Sequence, residues 1–207
     1  VNKLKKKNIF ILEVSSYQLQ YSRPFRSKHA AILNISPDHL ERHKNIKNYT
    51  KVKSKIFFAQ NSSDYSYINS RNKYSQTIKN IFESQKLKSK LILINKSNCD
   101  FLLKKINNQY FKSEAGIENL AFAYQIVKNL KISDKIIIRA INRFKGLPHR
   151  QEVILSNKKL IQDSKTLSSL SAYIIRASFW IVLLVGLVDM VLSFLRVEGY
   201  LIPLFGQ

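Results

Sequence analysis

Runs of apolar residues separated by polar stretches predict short strands and helices along most of the chain. Residues 8–14 (NIFILEV) are largely apolar and predict a buried parallel strand. A serine then provides a helix N-cap, and residues 31–35 (AILNI) predict a second buried strand. Strand, helix and strand within about 30 residues form a βαβ unit. The pattern therefore predicts an α/β fold built on a parallel sheet.

The same periodicities continue towards the C-terminus. We predict helices at 46–59, 117–130 and 134–144, the last capped by Ser133, a strand at 91–94, and hairpins at 101–111 and 153–162. The first hairpin is expected to turn at Asn107-Asn108.

The C-terminal region has a different pattern. Residues 177–195 read ASFWIVLLVGLVDMVLSFL, with Asp189 as the only charge. At about 1.5 Å per residue this run spans roughly 28 Å, close to the thickness of a bilayer core. We predict a transmembrane segment in residues 172–207, crossing the membrane at 172–195, with a buried core helix as the alternative. The run also resembles the first membrane helix of the small permease subunit of tripartite ATP-independent periplasmic (TRAP) transporters.

The charge is strongly positive, with 35 Lys and Arg against 13 Asp and Glu, a net charge of +22. Such a balance suggests nucleic acid as a partner. However, residues 171–207 are neutral overall, and the excess is scattered along residues 1–170 without a nucleic-acid-binding motif. We expect no nucleic-acid partner, and the basic side places residues 1–170 in the cytoplasm. The single Cys99 excludes an internal disulfide framework.

Two candidate metal ligands follow the predicted strands. Glu13 lies at the end of the first strand, and His39 comes shortly after the second. Because parallel strands bring their carboxyl ends to one edge of the sheet, these side chains could share a divalent metal. The pattern equally allows Glu13 to cap the next helix and His39 to be a solvated loop residue.

Several blocks, in order and spacing, resemble the Mur ligase family. They are LEVSSYQL (12–19), ILNISPDHLERH (32–43), YTKVKSKIF (49–57), GIENLAFA (116–123), FKGLPHRQEV (144–153) and QDSK (162–165). The resemblance implies a cytoplasmic enzyme that uses ATP and Mg²⁺ to form an amide bond through an acyl phosphate. The GLPHR block indicates the branch that adds D-glutamate to UDP-N-acetylmuramoyl-L-alanine in peptidoglycan biosynthesis.

The resemblance also implies roles for single residues. Glu13 and His39 match the family's metal ligands, and Lys53 matches a lysine that the family carbamylates, which makes it both a metal ligand and a catalytic residue. A carbamate is an anion and can bind a metal, whereas an ammonium group cannot. Local sequence alone would predict a solvated lysine, because Lys51 and Lys55 flank it; Tyr49, four residues earlier, shares its helix face.

The remaining matches concern the substrates. The resemblance places Asn119, Arg150 and Asp163 at ATP and Lys165 at the reaction centre. Ser15, Ser16 and Gln18 match positions near the nucleotide-sugar substrate. From the residues alone, each of these could equally be an ordinary solvated polar side chain.

Departures from the family pattern shape the predicted domain organisation. No Gly-x-x-Gly-Lys-Ser/Thr phosphate loop occurs in the sequence, and Ala115-Gly116 replaces the family's His-Asn. We predict an incomplete central ATP-binding domain at 1–146, with the phosphate loop upstream of Val1, a stub of the C-terminal ligase domain at 147–168, and the membrane segment at 172–207. Such a truncated chain is expected to be inactive alone, and its C-terminal segment would tether it to the inner membrane. The alternative is a membrane-anchored transporter subunit with a degenerate cytoplasmic extension.

Overall fold

The computed structural model describes residues 9–146, which form helices around a small sheet. The α-helices are α1 (Ser16–Tyr21), α2 (Leu40–His43), α3 (Ile46–Ser54), α4 (Ser75–Ser84), α5 (Asp100–Leu103), α6 (Glu114–Asn129) and α7 (Asp134–Arg143). The strands are β1 (His29–Ile32), β2 (Tyr65–Asn69) and β3 (Lys90–Ile94). Short 3₁₀ turns lie at Lys55–Phe57, Lys96–Cys99 and Gln109–Phe111.

The sheet is three-stranded and parallel, in the order β1-β2-β3. His29 is in register with Tyr65, and Tyr65 with Lys90. This confirms the predicted α/β class and parallel sheet. The predictions at 46–59, 91–94, 117–130 and 134–144 correspond to α3 with its 3₁₀ extension, β3, α6 and α7. The strand predicted at 31–35 lies slightly earlier, as β1.

The described chain divides into two compact units, residues 13–98 and residues 9–12 with 99–146. In the first, side chains from the sheet, α3 and α4 form one core, made of Ala30, Ile32, Ile35, Tyr49, Phe57, Ile68, Ile78 and Phe82. In the second, α6 and α7 bury Leu120, Phe122 and Ile141. The candidate residues Glu13, His39 and Lys53 all belong to the unit of residues 13–98.

Two predicted elements are wrong. Residues 9–14 do not form a strand, and Phe10 and Leu12 are 48% and 67% exposed, so the apolar run is not covered as a buried strand requires. The hairpin at 101–111 is replaced by α5 and a 3₁₀ turn. There, Asn107 N–H donates to Asn142 Oδ1, and Asn108 Nδ2 donates to the Ile141 carbonyl. The two asparagines therefore bind the end of α7 instead of making a hairpin turn.

Several predictions fall outside the described residues. They are the hairpin at 153–162, the domain stub at 147–168 and the membrane segment at 172–207. Within residues 9–146, none of the helices is long and apolar enough to cross a membrane.

A buried carboxylate ties the start of β1 to the start of β2. Asp64 is fully buried and accepts hydrogen bonds from Arg26 Nε at 2.8 Å and from the Asn61 backbone N–H at 2.8 Å. The hydrogen bond from Arg26, the backbone donor and the neighbouring Lys28 hold the pKa of Asp64 well below its ordinary value, against the opposing effect of burial.

We therefore expect acid sensitivity that depends on Asp64. Because the folded-state pKa is depressed, the stabilisation is complete above the unfolded pKa of about 4 and is lost progressively at lower pH. Melting temperatures between pH 3 and 7 should fall towards acid in the parent chain and change much less in Asp64→Asn. Asp134→Asn, at the partly exposed pair with Lys128, is the control and should keep the parent profile. A parent profile in Asp64→Asn would contradict this assignment.

Candidate functional site

The first candidate substrate residues build the N-terminus of α1. Ser15 Oγ accepts from the Gln18 backbone N–H at 3.2 Å, and Gln18 Oε1 accepts from the Ser15 N–H at 2.8 Å. This is a capping box, which satisfies two backbone donors at the helix start. The capping box also excludes Glu13 as the cap of this helix, because the N-cap residue of α1 is Ser15. Glu13 is exposed just before this cap.

His39 occupies an unusual backbone position at the start of α2. Its φ of 51° places it in the left-handed region, which non-glycine residues rarely adopt. The Asp38 carboxylate accepts from the His39 backbone N–H at 2.9 Å. The imidazole lies edge-on to the Tyr17 ring, with the centroids 5.2 Å apart, and remains partly exposed. The ring is therefore fixed on one side and accessible on the other, and strained backbone of this kind clusters at functional sites.

Lys53 is not the solvated lysine that its neighbours in sequence suggest. Its side chain is half-buried, with Nζ 5.3 Å from the centre of the Tyr49 ring, whereas Lys51 is exposed. Burial lowers the pKa of Lys53, and the negative charges of Asp38 and Glu13 partly offset this effect. The structure thus brings Lys53 into the electrostatic neighbourhood of Glu13 and of the Asp38-His39 pair.

Two further side chains complete this group and were not singled out as site residues from the sequence. His43 is buried, and its Nε2 lies 3.1 Å from Ser16 Oγ. Tyr49 packs against the His43 ring at 5.2 Å. The only sequence signal was spacing, since His43 is four residues after His39 and Tyr49 is four before Lys53. The contact of His43 with Ser16 on α1 joins parts of the chain that are distant in sequence.

Burial sets the ionisation of both residues. The pKa of His43 is lowered by burial and by the neighbouring charges of His39 and Arg42. Burial, together with Asp38 and Tyr17, raises the pKa of Tyr49 to about 12. At neutral pH both side chains are uncharged, so Lys53 lies beside a neutral phenol while the Asp38 and Glu13 carboxylates act on its charge.

The donor set suits a hard divalent cation only if Lys53 is modified. Among residues 9–146, no group of three His, Cys, Asp and Glu side chains lies close enough to hold a metal. Glu13 offers carboxylate oxygens and His39 an imidazole. A carbamate on Lys53 would add anionic oxygens of the type that Mg²⁺ prefers.

The candidate adenine residue lies in the other unit, on α6. The Asn119 side chain is fully buried, and neither its amide oxygen nor its nitrogen has a hydrogen-bond partner within residues 9–146. An unpaired buried amide is costly and calls for an explanation such as a ligand. Arg150, Asp163 and Lys165 lie outside the described residues.

A close contact accounts for one departure from the family pattern. A Cβ on Gly116 would stand 2.9 Å from the Tyr110 carbonyl oxygen and 3.1 Å from Phe111 Cα. Glycine is therefore required at this position, where the 3₁₀ turn at Gln109–Phe111 crosses the start of α6. Ser113 caps the helix by accepting from the Gly116 N–H at 3.1 Å.

Comparison with known proteins agrees with the motifs. The family model described as "Mur ligase middle domain" matches residues 2–137. A UDP-N-acetylmuramoylalanine–D-glutamate ligase of Rickettsia felis is 34% identical over 183 residues, covering 80% of this chain and 40% of the relative. Ligases of the same name from Bacillus cereus and Thermoanaerobacter sp. are 32% and 29% identical, covering 81% and 76% of this chain. The chain spans about 40% of the length of these relatives. No solved structure matches it.

Proposed function

Because this chain belongs to the Mur ligase family, we propose that it supplies the metal and ATP sites of a cytoplasmic ligase that adds D-glutamate to UDP-N-acetylmuramoyl-L-alanine. The relatives that share about a third of its residues carry this activity in their names. The observation that carries the proposal is Lys53, which is half-buried with a lowered pKa beside Glu13 and Asp38.

The proposed reaction has two steps. A substrate carboxylate oxygen takes the γ-phosphoryl group of ATP, which gives an acyl phosphate and ADP. The amine of D-glutamate then attacks the acyl carbon, the C–N bond forms, the nitrogen gives up one proton to solvent, and phosphate leaves with the oxygen that carried it. A bound Mg²⁺ would neutralise charge on the phosphoryl oxygens.

The residues of the unit 13–98 have defined parts in this proposal. Glu13 and His39 act as metal ligands, and Lys53 joins them as a carbamate. The carbamate forms when the neutral amine attacks CO₂ and gives up one proton, so the lowered pKa of Lys53 favours its formation at neutral pH. Ser15, Ser16 and Gln18 remain our candidates for the substrate side of this region.

Asn119 is proposed to bind the adenine edge, which presents both a donor and an acceptor. An amide can pair with both at once, and the buried unpartnered amide of Asn119 fits that requirement. Arg150, Asp163 and Lys165 are proposed to act on ATP and at the reaction centre, on the strength of the sequence motif alone.

Because the buried Asn119 amide is unpaired within residues 9–146, replacing it with an apolar side chain should stabilise the fold but weaken ATP binding. Asn119→Leu should raise the free energy of unfolding by about 1–3 kcal/mol, because it removes an unsatisfied buried amide of similar size. In an active ligase the same change should raise the KM for ATP about tenfold or more, as expected for the loss of one or two hydrogen bonds. Gln125→Leu, a half-buried amide on the same helix, is the control. A destabilised Asn119→Leu variant would refute the assignment.

A chimera tests the proposed function directly. Residues 9–146 would replace the matching segment of the Rickettsia felis ligase, and phosphate release would be measured with ATP, UDP-N-acetylmuramoyl-L-alanine and D-glutamate. We expect turnover by the chimera. We expect none from the 207-residue chain alone, which carries no phosphate-loop pattern. A folded chimera without turnover would contradict the proposal, and turnover by the chain alone would contradict its predicted inactivity.

A further inference from the structure

One buried histidine contacts the helix that follows Glu13, the backbone of His39 and the helix that carries Lys53. The His43 side chain is 4% exposed, and its Nε2 lies 3.1 Å from Ser16 Oγ, which is itself buried on α1. Ser16 comes three residues after Glu13 in sequence. The contact therefore fixes α2 to α1. Glu13 comes shortly before the cap of α1, so the position of this helix determines the position of Glu13.

His43 also holds the backbone of His39. The His43 backbone N–H donates to the His39 carbonyl at 3.0 Å, and the Arg42 N–H donates to the same oxygen at 3.1 Å. These hydrogen bonds form the single turn of α2, which follows His39 and its left-handed backbone conformation. A left-handed non-glycine residue persists only where surrounding contacts enforce it. Anchoring the end of this turn on Ser16 provides such a contact.

The imidazole ring makes the third connection, towards Lys53. It packs on the Tyr49 ring with the centroids 5.2 Å apart, and Lys53 Nζ lies 5.3 Å from the centre of that same ring. Tyr49 and Lys53 are one turn apart on α3, so the position of the phenol ring determines where the lysine stem can lie. His43 thus reaches Lys53 through Tyr49.

We propose that His43 is a positioning residue, which holds Glu13, His39 and Lys53 in register for one metal ion through its Ser16, backbone and Tyr49 contacts. This role rests on the proposed function. It is distinct from metal binding, since the imidazole nitrogen near Ser16 is occupied by that hydroxyl. It is also distinct from filling space, because a phenylalanine would pack on Tyr49 but leave Ser16 Oγ unpaired.

The test uses the full 207-residue chain with ¹³C-labelled histidine. The chain has four histidines, so each ring signal can be assigned by substitution. Mn²⁺ added in bicarbonate buffer, which supplies the CO₂ that carbamylates Lys53, should broaden the His39 signal. In His43→Phe, we expect the metal-free His39 signal to shift and the Mn²⁺ concentration at half-broadening to rise about tenfold or more, as for other residues that orient metal ligands. His43→Gln, which keeps an amide nitrogen for Ser16, should recover part of the affinity.

His29→Phe is the matched control. It also removes an imidazole–hydroxyl contact, His29 Nδ1 to Tyr67 Oη at 2.9 Å, and it keeps a ring stacked on Tyr65. Because His29 lies at the start of β1, opposite the end that leads to His39, this variant should bind Mn²⁺ like the parent. Unchanged His29 signals in His43→Phe show that the fold is intact; should that variant not fold, His43→Gln and Ser16→Ala carry the test.

The outcomes separate the two proposals. Parent-like Mn²⁺ binding and an unmoved His39 signal in folded His43→Phe would overturn the positioning role and leave the proposed function standing. No effect of Mn²⁺ on His39 in the parent chain would contradict the proposed metal site. In that case the metal-free His39 signal decides alone, and an unmoved signal in His43→Phe overturns the positioning role as well.

Discussion

Replacing Lys53 with alanine in the chimera should lower the rate of D-glutamate addition by about 100- to 1000-fold, the loss expected when one charged group that stabilises the transition state is removed. The reason is geometric and electrostatic. Lys53 lies half-buried among Glu13, Asp38 and Tyr49, and its carbamate is proposed to bind the metal. Lys51→Ala removes an exposed lysine from the same helix and should leave the rate near that of the parent chimera.

Carbamylation of Lys53 by CO₂ can be measured independently of the reaction rate. With ¹³C-bicarbonate, the parent chain should show a carbamate carbon signal that is absent in Lys53→Ala and present in Lys51→Ala. Because carbamylation needs the neutral amine, the signal should grow as pH rises towards the pKa of Lys53, which burial has lowered. Removing CO₂ should slow the chimera, and bicarbonate should restore it. A Lys53→Ala chimera of parent activity would show that this lysine has no part in the reaction.

Long periodic segments were predictable from the sequence because their local pattern and their packing agree. The helix α6 has a serine cap and an apolar face that recurs over its whole length. The helix α7 also has a recurring apolar face, but Ser133 at its N-cap position makes no side-chain capping hydrogen bond, so the predicted serine cap is wrong in that respect. The strand β2 was not predicted. Its sequence YSYIN places Ser66 and Asn69 at buried positions, where Ser66 is satisfied by Ser89 Oγ at 2.8 Å, a residue distant in sequence. A buried polar residue with a non-local partner leaves no periodic signal.

In the candidate site, too, some residues could be predicted from the sequence and others could not. Glu13, His39 and Lys53 could be selected through family spacing, and the structure gives Lys53 the acidic neighbours that its flanking lysines concealed. The supporting contacts of His43 could not be predicted, since the Ser16 hydroxyl that it meets lies 27 residues away in sequence. The wrong strand prediction at residues 9–14 has the opposite cause, since there the local pattern is present and the non-local partner is missing within residues 9–146. An apolar run favours a buried strand, but a buried strand also needs an adjacent strand to pair with and side chains packed on its faces, which no local pattern specifies.

Phe57→Ala should cost the chain about 3–5 kcal/mol of unfolding free energy, a large part of the 5–15 kcal/mol typical of a domain. Phe57 is completely buried in the 3₁₀ turn that follows α3, and its ring packs on Phe82 of α4 at 5.3 Å. Removing the ring leaves a cavity beneath the helix that carries Lys53, because the surrounding core relaxes only partly.

Urea unfolding of the 207-residue chain, followed by circular dichroism, measures this cost. The control is Phe101→Ala, because Phe101 is 43% exposed on α5 and makes one cation–π contact with Lys105 at 4.0 Å. It should lose only about 1 kcal/mol or less. Equal losses in the two variants would show that Phe57 does not anchor the core of residues 13–98. A large loss at Phe57 alone would show that the apolar core below α3, the helix that carries Lys53, provides much of the stability of residues 13–98.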